Sequence, residues 1–390
     1  MPADMRTMSP WMIGLLASGL ACAFGACSQR ESHQVPDLFY LYQTYEVGKN
    51  PTSIASGDLN GDGLADLVTT NIGSDSLSIL MGNGDGSFRD PITLKVPQQP
   101  RAVVVHDLNA DGLLDLAVAN AGNNRITILL GNGRGEFRHG DTYPAVKSPI
   151  GLVCADFNND ARPDLAVALR NDKLMILLGR GDGRFVQKAL YEYGDTPTAV
   201  TTADVNEDGF LDLAVTQGGQ MSSAVAIFLG NGDGTFRVPT PYKTGHRPLA
   251  VSFLDLNGDR HFDMLVVNGE MDDITVFFGK GDGTFQKGTA FGANAGPMAI
   301  VTNDFDGDGK TDVAVVNNLS SDLSIVIGKG DGTFWQPPRS YKTGAAPFAV
   351  TAVSFAPKDP RPGLVTANNA SNSISVFLAK DPRSHLVPTQ

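Results

Sequence analysis

The chain has little of what many protein classes depend on. Of its three cysteines, two lie within the first 27 residues, so Cys154 is left alone and an internal disulfide framework is excluded. Charged residues make up only 18% of 390 residues, and the net charge of −12 would repel the phosphates of nucleic acids. The sequence contains no HExxH or GxSxG motif and no Cys/His pairing, which are the patterns typical of hydrolases and thiol enzymes.

What the sequence has in excess is glycine, with 44 residues. Abundant glycine, low charge and short apolar segments are typical of many short strands joined by tight turns. Apolar residues make up 42% of the chain, which is enough for a core. The length suits two average domains or one large all-β domain.

The first 27 residues resemble an export signal. Residues 11–26 are apolar but few for a transmembrane helix, which needs roughly 20. Two small residues before Cys27 are similar to a bacterial lipoprotein signal, in which that cysteine is lipidated; Cys22 is a weaker alternative. Because Phe24 and a weakly basic start depart from the pattern, an ordinary cleaved signal or a short anchor stays open. We expect an exported, lipid-anchored protein of the bacterial cell envelope or surface, with residues 28–37 as a polar tether.

An acidic motif, DxNxDGxxD, recurs every 48 to 51 residues. It starts at Asp58, Asp107, Asp156, Asp204, Asp255 and Asp304, with a degenerate seventh copy at Ser354. A proline lies seven residues before each copy, at Pro51, Pro100, Pro149, Pro197, Pro248, Pro297 and Pro347. A glycine-rich turn such as GNGDGSF or GKGDGTF ends six of the units. Because all these markers stay in register, the chain contains seven copies of one structural unit.

Each unit is predicted to contain four strands. Apolar segments of four to seven residues alternate with Gly/Asp/Asn clusters, and a period near fifty fits a propeller blade. We therefore predict an all-β, seven-bladed β-propeller over residues 38–380, followed by a tail at 381–390. The last unit lacks a fourth strand, but Tyr45 and Gly48 match Tyr341 and Gly344 of the sixth unit. The N-terminal segment is thus predicted to complete the seventh blade and close the ring.

These repeats resemble the FG-GAP or VCBS family, which builds the propeller of integrin α-subunits and of many bacterial surface proteins. The resemblance covers roughly residues 38–380, nearly the whole chain after the signal. It implies a propeller and calcium binding, but the family is functionally broad.

The acidic motifs are predicted to bind calcium. Oxygen donors at positions 1, 3, 5 and 9 of a tight loop suit an ion that takes six to eight oxygens, and glycine at position 6 allows the turn. Four loops are complete: Asp58, Asn60, Asp62 and Asp66; Asp107, Asn109, Asp111 and Asp115; Asp204, Asn206, Asp208 and Asp212; Asp304, Asp306, Asp308 and Asp312. The family resemblance adds the position-7 backbone carbonyl, here Leu64, Leu113, Arg162, Phe210, His261 and Lys310.

Two further loops keep the oxygens but replace the glycine. They are Asp156, Asn158, Asp160 and Asp164 with Ala161, and Asp255, Asn257, Asp259 and Asp263 with Arg260. We expect strain there, and no metal in the seventh loop, where Lys358 stands at position 5. The prediction is up to six calcium ions, four of them in complete loops.

Asx-turns without metal are the other interpretation of these loops. The distribution of charge favours the ion. The six loops hold 19 of the 42 acidic residues, and the remaining 23 are outnumbered by 30 basic ones. Carboxylates this close repel one another unless a cation lies among them.

The acidic loops and the glycine-rich turns are predicted to share one face of the disc. The opposite face then carries the turns and connections that vary most between units, and it is the expected surface for a ligand. The residues after the prolines are expected to ring the channel mouth: Thr52, Arg101, Ile150, Thr198, Leu249, Met298 and Phe348. Ordinary rim packing is the alternative.

The sequence therefore predicts a monomeric, non-enzymatic binding or adhesion module for a protein or glycan. Contact with a membrane is expected only through the lipid, and none with nucleic acid. A polysaccharide lyase or hydrolase on the same propeller is the alternative, and a structural partner in an envelope complex is a third. The one acidic cluster outside the loops, Glu270, Asp272 and Asp273, is interpreted as a solvated turn.

Overall fold

The computed structural model describes residues 37–219, 222–355 and 361–380. Within these ranges the chain forms 28 strands, and no helix is long and apolar enough to cross a membrane. The strands are β1 Phe39–Glu46, β2 Pro51–Gly57, β3 Asp66–Asn71, β4 Ser76–Leu80, β5 Ile92–Lys95, β6 Pro100–His106, β7 Asp115–Asn120, β8 Arg125–Gly131, β9 Phe137–Pro144, β10 Pro149–Ala155, β11 Asp164–Leu169, β12 Lys173–Gly179, β13 Phe185–Glu192, β14 Pro197–Ala203, β15 Asp212–Gln217, β16 Ala224–Phe228, β17 Thr240–Lys243, β18 Pro248–Leu254, β19 Asp263–Asn268, β20 Asp273–Gly279, β21 Phe285–Gly292, β22 Pro297–Asn303, β23 Asp312–Asn317, β24 Asp322–Val326, β25 Arg339–Lys342, β26 Pro347–Val353, β27 Gly363–Asn368 and β28 Ser373–Ala379.

These strands form seven antiparallel sheets of four. Blades 1 to 6 each use four consecutive strands, from β2–β5 in blade 1 to β22–β25 in blade 6. Blade 7 consists of β26, β27 and β28, with β1 at its outer edge. The predicted seven-bladed propeller, closed by the N-terminal strand, is confirmed.

Every inner strand begins at one of the seven repeat prolines. Proline cannot donate a ladder hydrogen bond, so it is tolerated at the first residue of an edge strand, as in β2 or β6. The periodic prolines therefore mark where each blade starts at the channel.

The recurring DLAV segment explains how the blades fit together. In β7, Leu116 and Val118 face blade 1, whereas Ala117 and Ala119 face blade 3. Side chains alternate across a strand, so β7 turns large residues to one neighbour and small ones to the other. Strands β11 and β15 do the same, whereas β19 has large side chains on both faces. In blades 2 to 4 the large side of the second strand therefore faces the preceding blade.

The core is divided among the interfaces between blades. Seven clusters of buried apolar residues occur, and each is formed by the facing sides of two adjacent blades. One of them joins blade 7 to blade 1 through Ile374, Val376, Leu67 and Leu80, all at most 1% exposed. Because every blade has a neighbour on both sides, no blade leaves an apolar face uncovered.

The strand that closes the ring replaces a missing part of blade 7. β1 pairs with β28 from Phe39 opposite Ala379 to Glu46 opposite Ser373. Phe39 is 1% exposed, and its ring lies 5.7 Å from that of Phe305 in blade 6. The neighbouring Tyr341 hydroxyl accepts hydrogen bonds from the Leu38 and Phe39 N–H groups, at 2.8 and 3.3 Å.

Phe39 takes the place that the last phenylalanine of the glycine-rich turn has in other blades. Between blades 2 and 3, the Phe185 N–H donates to the Tyr143 hydroxyl at 2.9 Å. Between blades 3 and 4, the Phe236 N–H donates to Tyr191 at 2.7 Å. The N-terminal segment thus supplies both the outer strand and the interblade anchor of blade 7.

The acidic loops and glycine-rich turns share one face, as predicted. The Gly135 N–H of blade 2 donates to the Leu59 carbonyl of the first acidic loop at 3.0 Å. The same bond joins Gly183 to Leu108 at 3.1 Å, and it recurs in three further pairs: Gly234 to Phe157, Gly283 to Val205 and Gly332 to Leu256. We call this the loop face, and the side that carries the second-to-third-strand turns and the interblade connections is the turn face.

Candidate metal centres

Each acidic loop is organised by its first aspartate. In loop 1, Asp58 accepts hydrogen bonds from the N–H groups of Gly61, Asp62 and Gly63 at 2.7, 3.1 and 2.8 Å. Asn60 Oδ1 accepts from Asp62 N–H at 2.9 Å. These bonds curl the backbone around the carboxylates and amide, which places oxygen donors along one short loop.

Residues at positions 4 and 6 of the loops have left-handed backbone conformations. In loop 1 both are glycines, Gly61 and Gly63, with φ of 76° and 80°. In loops 3 and 5 position 6 is Ala161 or Arg260, with φ of 60° and 73°. Their N–H groups still donate to the first aspartate of the loop, at 2.7 and 2.9 Å. Loops 3 and 5 therefore keep the turn, at the cost of about 1–2 kcal/mol for each non-glycine residue in this conformation.

The ninth position has a role that the sequence analysis missed. Asp66, fully buried, accepts the Leu59 N–H at 2.9 Å on one oxygen and the Gly82 N–H at 2.8 Å on the other. The same pair of bonds holds Asp115, Asp164, Asp212, Asp263 and Asp312. This carboxylate therefore ties the acidic loop to the start of the glycine-rich turn of its own blade, besides being a candidate ligand.

Burial makes the charge on these carboxylates costly. Burial raises the pKa of Asp164 and of Asp212 to about 6, against the two backbone hydrogen bonds that each receives. The pKa of Asp312 rises to about 7 for the same reason, with repulsion from Asp306 added. A nearby cation favours the ionised form of such a group.

Loop 6 has an aspartate at position 3, where loops 1 to 5 have asparagine, so its ligand set has one carboxylate more. One carboxylate oxygen from each of Asp304, Asp306 and Asp312 lies within 4.8 Å of the others, which occurs in no other His, Cys, Asp or Glu group of the described residues. Oxygens bound to one calcium ion at about 2.3–2.6 Å can be this far apart. The donor set is oxygen only, which suits calcium and does not suit zinc. The loop residues therefore fit the ion that the sequence predicts.

Basic side chains already contact the carboxylate at position 5 in some loops. Arg162 forms an ion pair with Asp160 in loop 3, and Lys310 Nζ lies 2.9 Å from Asp308 Oδ2 in loop 6. Both cations stand at position 7, where the predicted ligand is the backbone carbonyl. A calcium ion would have to share these carboxylates with the ammonium or guanidinium group.

Two predicted sites lie outside the described residues. Cys27, the predicted lipid attachment site, is one. Lys358, on which the prediction of a metal-free seventh loop was based, is the other. Cys154, the cysteine of the described residues, packs beside the cluster between blades 2 and 3, where burial raises its thiol pKa to about 12. So little thiolate forms at neutral pH that Cys154 is a poor nucleophile.

The two roles of the loop aspartates can be separated in blade 4. In excess chelator, Asp212→Ala is expected to lower the free energy of unfolding by about 2–4 kcal/mol, because two buried N–H groups, of Val205 and Gly230, lose their acceptor. Asp208→Ala should change it by less than about 1 kcal/mol, because Asp208 is exposed. Urea unfolding measures both values. Equal losses for the two variants in chelator would contradict this assignment.

The turn face is built more regularly than its sequence suggests. Asp75, in the turn before β4, accepts the N–H of Gln99 in the next interblade connection at 2.8 Å. Asp172 and Asp272 bind Thr196 and Gly296 in the same way, also at 2.8 Å. Asparagine does this in two other blades: Asn124 accepts from Ser148 and Asn372 from Asn50. The turns therefore hold a common backbone shape while most of their side chains differ.

All seven residues that follow the prolines line one cavity at the channel mouth, as predicted. Its volume is about 330 Å³. Three other residues with larger side chains join them: Arg170, Thr196 and Arg247. Thus the mouth on the turn face is a concave site, and its lining mixes apolar and basic groups.

The chain forms a ring of seven four-stranded blades, and in blades 1 to 6 an acidic loop follows the inner strand. These features define the class of protein, a β-propeller built from acidic-loop repeats. The family model for the FG-GAP-like repeat matches residues 58–118, 107–167, 156–215, 204–266, 255–315 and 304–357. The chain therefore belongs to the FG-GAP repeat family.

Solved structures support the same fold. BBS1N, crystallised in complex with ARL6DN and soaked with lead, is 13% identical with a TM-score of 0.62, over 89% of this chain and 99% of that one. A functionally unknown protein from Desulfotomaculum acetoxidans is 13% identical with a TM-score of 0.59, over 79% and 90%. A protein from Lactobacillus plantarum is 15% identical with a TM-score of 0.59, over 78% and 88%. No curated protein sequence matches the chain.

Proposed function

We propose that the chain is a calcium-stabilised propeller that is exported, held by a lipid at Cys27, and acts as a non-enzymatic binding or adhesion module for a protein or glycan. The observation that carries the proposal is the structural difference between the two faces. The loop face holds the acidic loops and ties blades together. The turn face combines one repeated backbone shape with different side chains in every blade, which is how rigid scaffolds present binding residues.

In this proposal calcium would stabilise the fold of the acidic loops. The residues that would hold it are the loop carboxylates and amides, such as Asp304, Asp306 and Asp312, which already lie close together. A bound divalent cation would offset the repulsion among them. The ion has no step in a reaction here, and its contribution is to stabilise the loop face.

The acidic cluster on the turn face favours binding over catalysis. Asp272 accepts the Gly296 N–H at 2.8 Å, and Asp273 accepts from the Asn268 side chain at 2.7 Å. Glu270 faces the Arg247 guanidinium at 4.0 Å. Two of these carboxylates thus hold a turn in place, so the cluster lacks the free acid and base that a polysaccharide-cleaving enzyme would need.

A paired substitution tests the turn face as the binding surface. Leu319 is 76% exposed in a turn on this face, and Val238 is 91% exposed beside Arg237, which lies 3.8 Å from the loop-face Asp208. We expect the chain to bind a member of a glycan or purified-protein array, and Leu319→Arg to weaken that binding while Val238→Arg leaves it unchanged. A lyase and hydrolase screen on the same preparation is the control. Turnover of a polysaccharide, or binding lost only in Val238→Arg, would overturn the proposal.

A further inference from the structure

The cavity at the channel mouth contains more positive charge than the surrounding residues neutralise. Arg101, Arg170 and Arg247 all line it. Arg247 has Glu270 at 4.0 Å, but none of the ion pairs among the described residues includes Arg101 or Arg170. Two guanidinium groups therefore face the cavity without a carboxylate partner in the described part of the chain.

Arg101 is the more informative of the two. It is half-buried, and burial, followed by repulsion from Arg170, lowers the pKa of its guanidinium. A guanidinium group that is withdrawn from water and repelled by a second one destabilises the fold unless an anion compensates it. Neither side chain has a hydrogen bond within the described residues that would explain its position in another way.

The other polar groups of the cavity are already engaged. The Thr198 hydroxyl donates to the Pro248 carbonyl at 2.9 Å and lies 2.8 Å from the Thr216 hydroxyl. The Thr52 hydroxyl lies 3.1 Å from both the Arg101 carbonyl and the Thr70 hydroxyl. The five N–H donors of each guanidinium are therefore the main polar groups left for a ligand.

Large apolar side chains lie across the channel from these two arginines. Arg101 and Arg170 belong to blades 2 and 3, whereas Leu249, Met298 and Phe348 belong to blades 5, 6 and 7. In a closed ring of seven, blades 5 to 7 are opposite blades 2 and 3. The cavity thus has its two unpaired guanidinium groups on one side and large apolar side chains on the other, where the guanidinium of Arg247 has Glu270 at 4.0 Å. Its volume of 330 Å³ is at the lower end of the range of about 300–1,000 Å³ for small-molecule sites.

We propose that this cavity binds a small organic acid: its carboxylate pairs with Arg101 and Arg170, and its apolar part lies against Leu249, Met298 and Phe348. Guanidinium groups hold carboxylates through paired N–H donors, which gives direction as well as affinity. The site lies on the face proposed above to bind a protein or glycan. It does not depend on that macromolecule, because a free acid fills the cavity by itself.

Four probes separate the features of the ligand. The full chain in calcium is titrated by calorimetry with 3-phenylpropionate, with the alcohol 3-phenylpropanol, with acetate and with 3-phenylpropylamine. We expect 3-phenylpropionate to bind at least about tenfold more tightly than each of the others. The alcohol and the amine lack the carboxylate that accepts hydrogen bonds from the guanidinium groups, and acetate lacks the ring that is buried against the apolar side. Equal binding of acid and alcohol, or no binding of the acid at millimolar concentration, would overturn the proposal.

Matched variants locate the site. Arg101→Met should weaken binding of 3-phenylpropionate at least about tenfold and, without ligand, raise the melting temperature, because an unpaired half-buried charge is removed. Arg170 is exposed, so Arg170→Met keeps the fold intact and should weaken binding as well. Arg138, exposed on the outer strand β9, is the control, and Arg138→Met should bind as the parent does. Unchanged affinity in both Arg101→Met and Arg170→Met would overturn the site.

Discussion

Moving the chain from millimolar calcium into excess EDTA is expected to lower its melting temperature by about 10–20 °C. A ligand that binds only the folded state at 100 times its Kd adds about 2.7 kcal/mol per site, and distant sites add independently. Four complete loops would therefore contribute about 11 kcal/mol. At an unfolding entropy of about 2.1 cal/mol/K per residue, each kcal/mol corresponds to roughly 1.4 °C in a propeller of this size.

Calorimetry with a metal count measures this effect. We expect four to six calcium ions per chain before chelation and none afterwards. Magnesium should restore little of the stability, because it requires strict octahedral geometry and retains its waters. A chain emptied of metal that melts at its original temperature would show that the loops are Asx-turns held by their own hydrogen bonds.

Deletion of residues 37–46 is expected to abolish the soluble, cooperatively folded ring. Without β1, the outer edge of β28 loses its partner, and the cluster between blades 6 and 7 loses Phe39. An exposed apolar edge of this length is a site for aggregation. Size-exclusion chromatography and thermal melting measure the outcome, and a monomer that melts like the parent would contradict this role for β1.

A graded version avoids complete loss of the protein. Phe39→Ala is expected to cost about 3–5 kcal/mol, the usual range for removing a buried phenylalanine. Tyr42 on the same strand is 40% exposed, so Tyr42→Ala is the matched control and should cost less than about 1 kcal/mol. Equal costs would mean that the strand matters only through its backbone.

The architecture could be predicted from the sequence because each repeat contains the same local signals. Prolines, acidic loops and glycine-rich turns recur in register, so strand order and blade number follow from one unit. The residues around the channel mouth could be predicted as well, since equivalent residues of a closed ring occupy equivalent positions. The part that Phe39 plays could have been found as well: the spacing from Phe39 to Tyr45 equals that from Phe137 to Tyr143 and from Phe185 to Tyr191.

Contacts between distant residues were not predictable in this way. Asp66 reads as a fourth ligand, and nothing nearby in the sequence reveals that the Gly82 N–H, sixteen residues later, binds it. The unpaired charges of Arg101 and Arg170 face one cavity only because two blades lie side by side. Arg170 is in a turn that aligns poorly with those of the other units. Its location at the cavity could therefore not be predicted from the repeat pattern.

The pairing of β1 with β28 also fixes where the propeller starts and finishes. Phe39 lies opposite Ala379, beside Gly363 at the start of β27, so both limits of the propeller are on the loop face. The cavity and the varied turns lie on the opposite, turn face. A fluorophore or affinity tag joined at either limit would therefore leave the turn face unobstructed for surface-immobilised measurements.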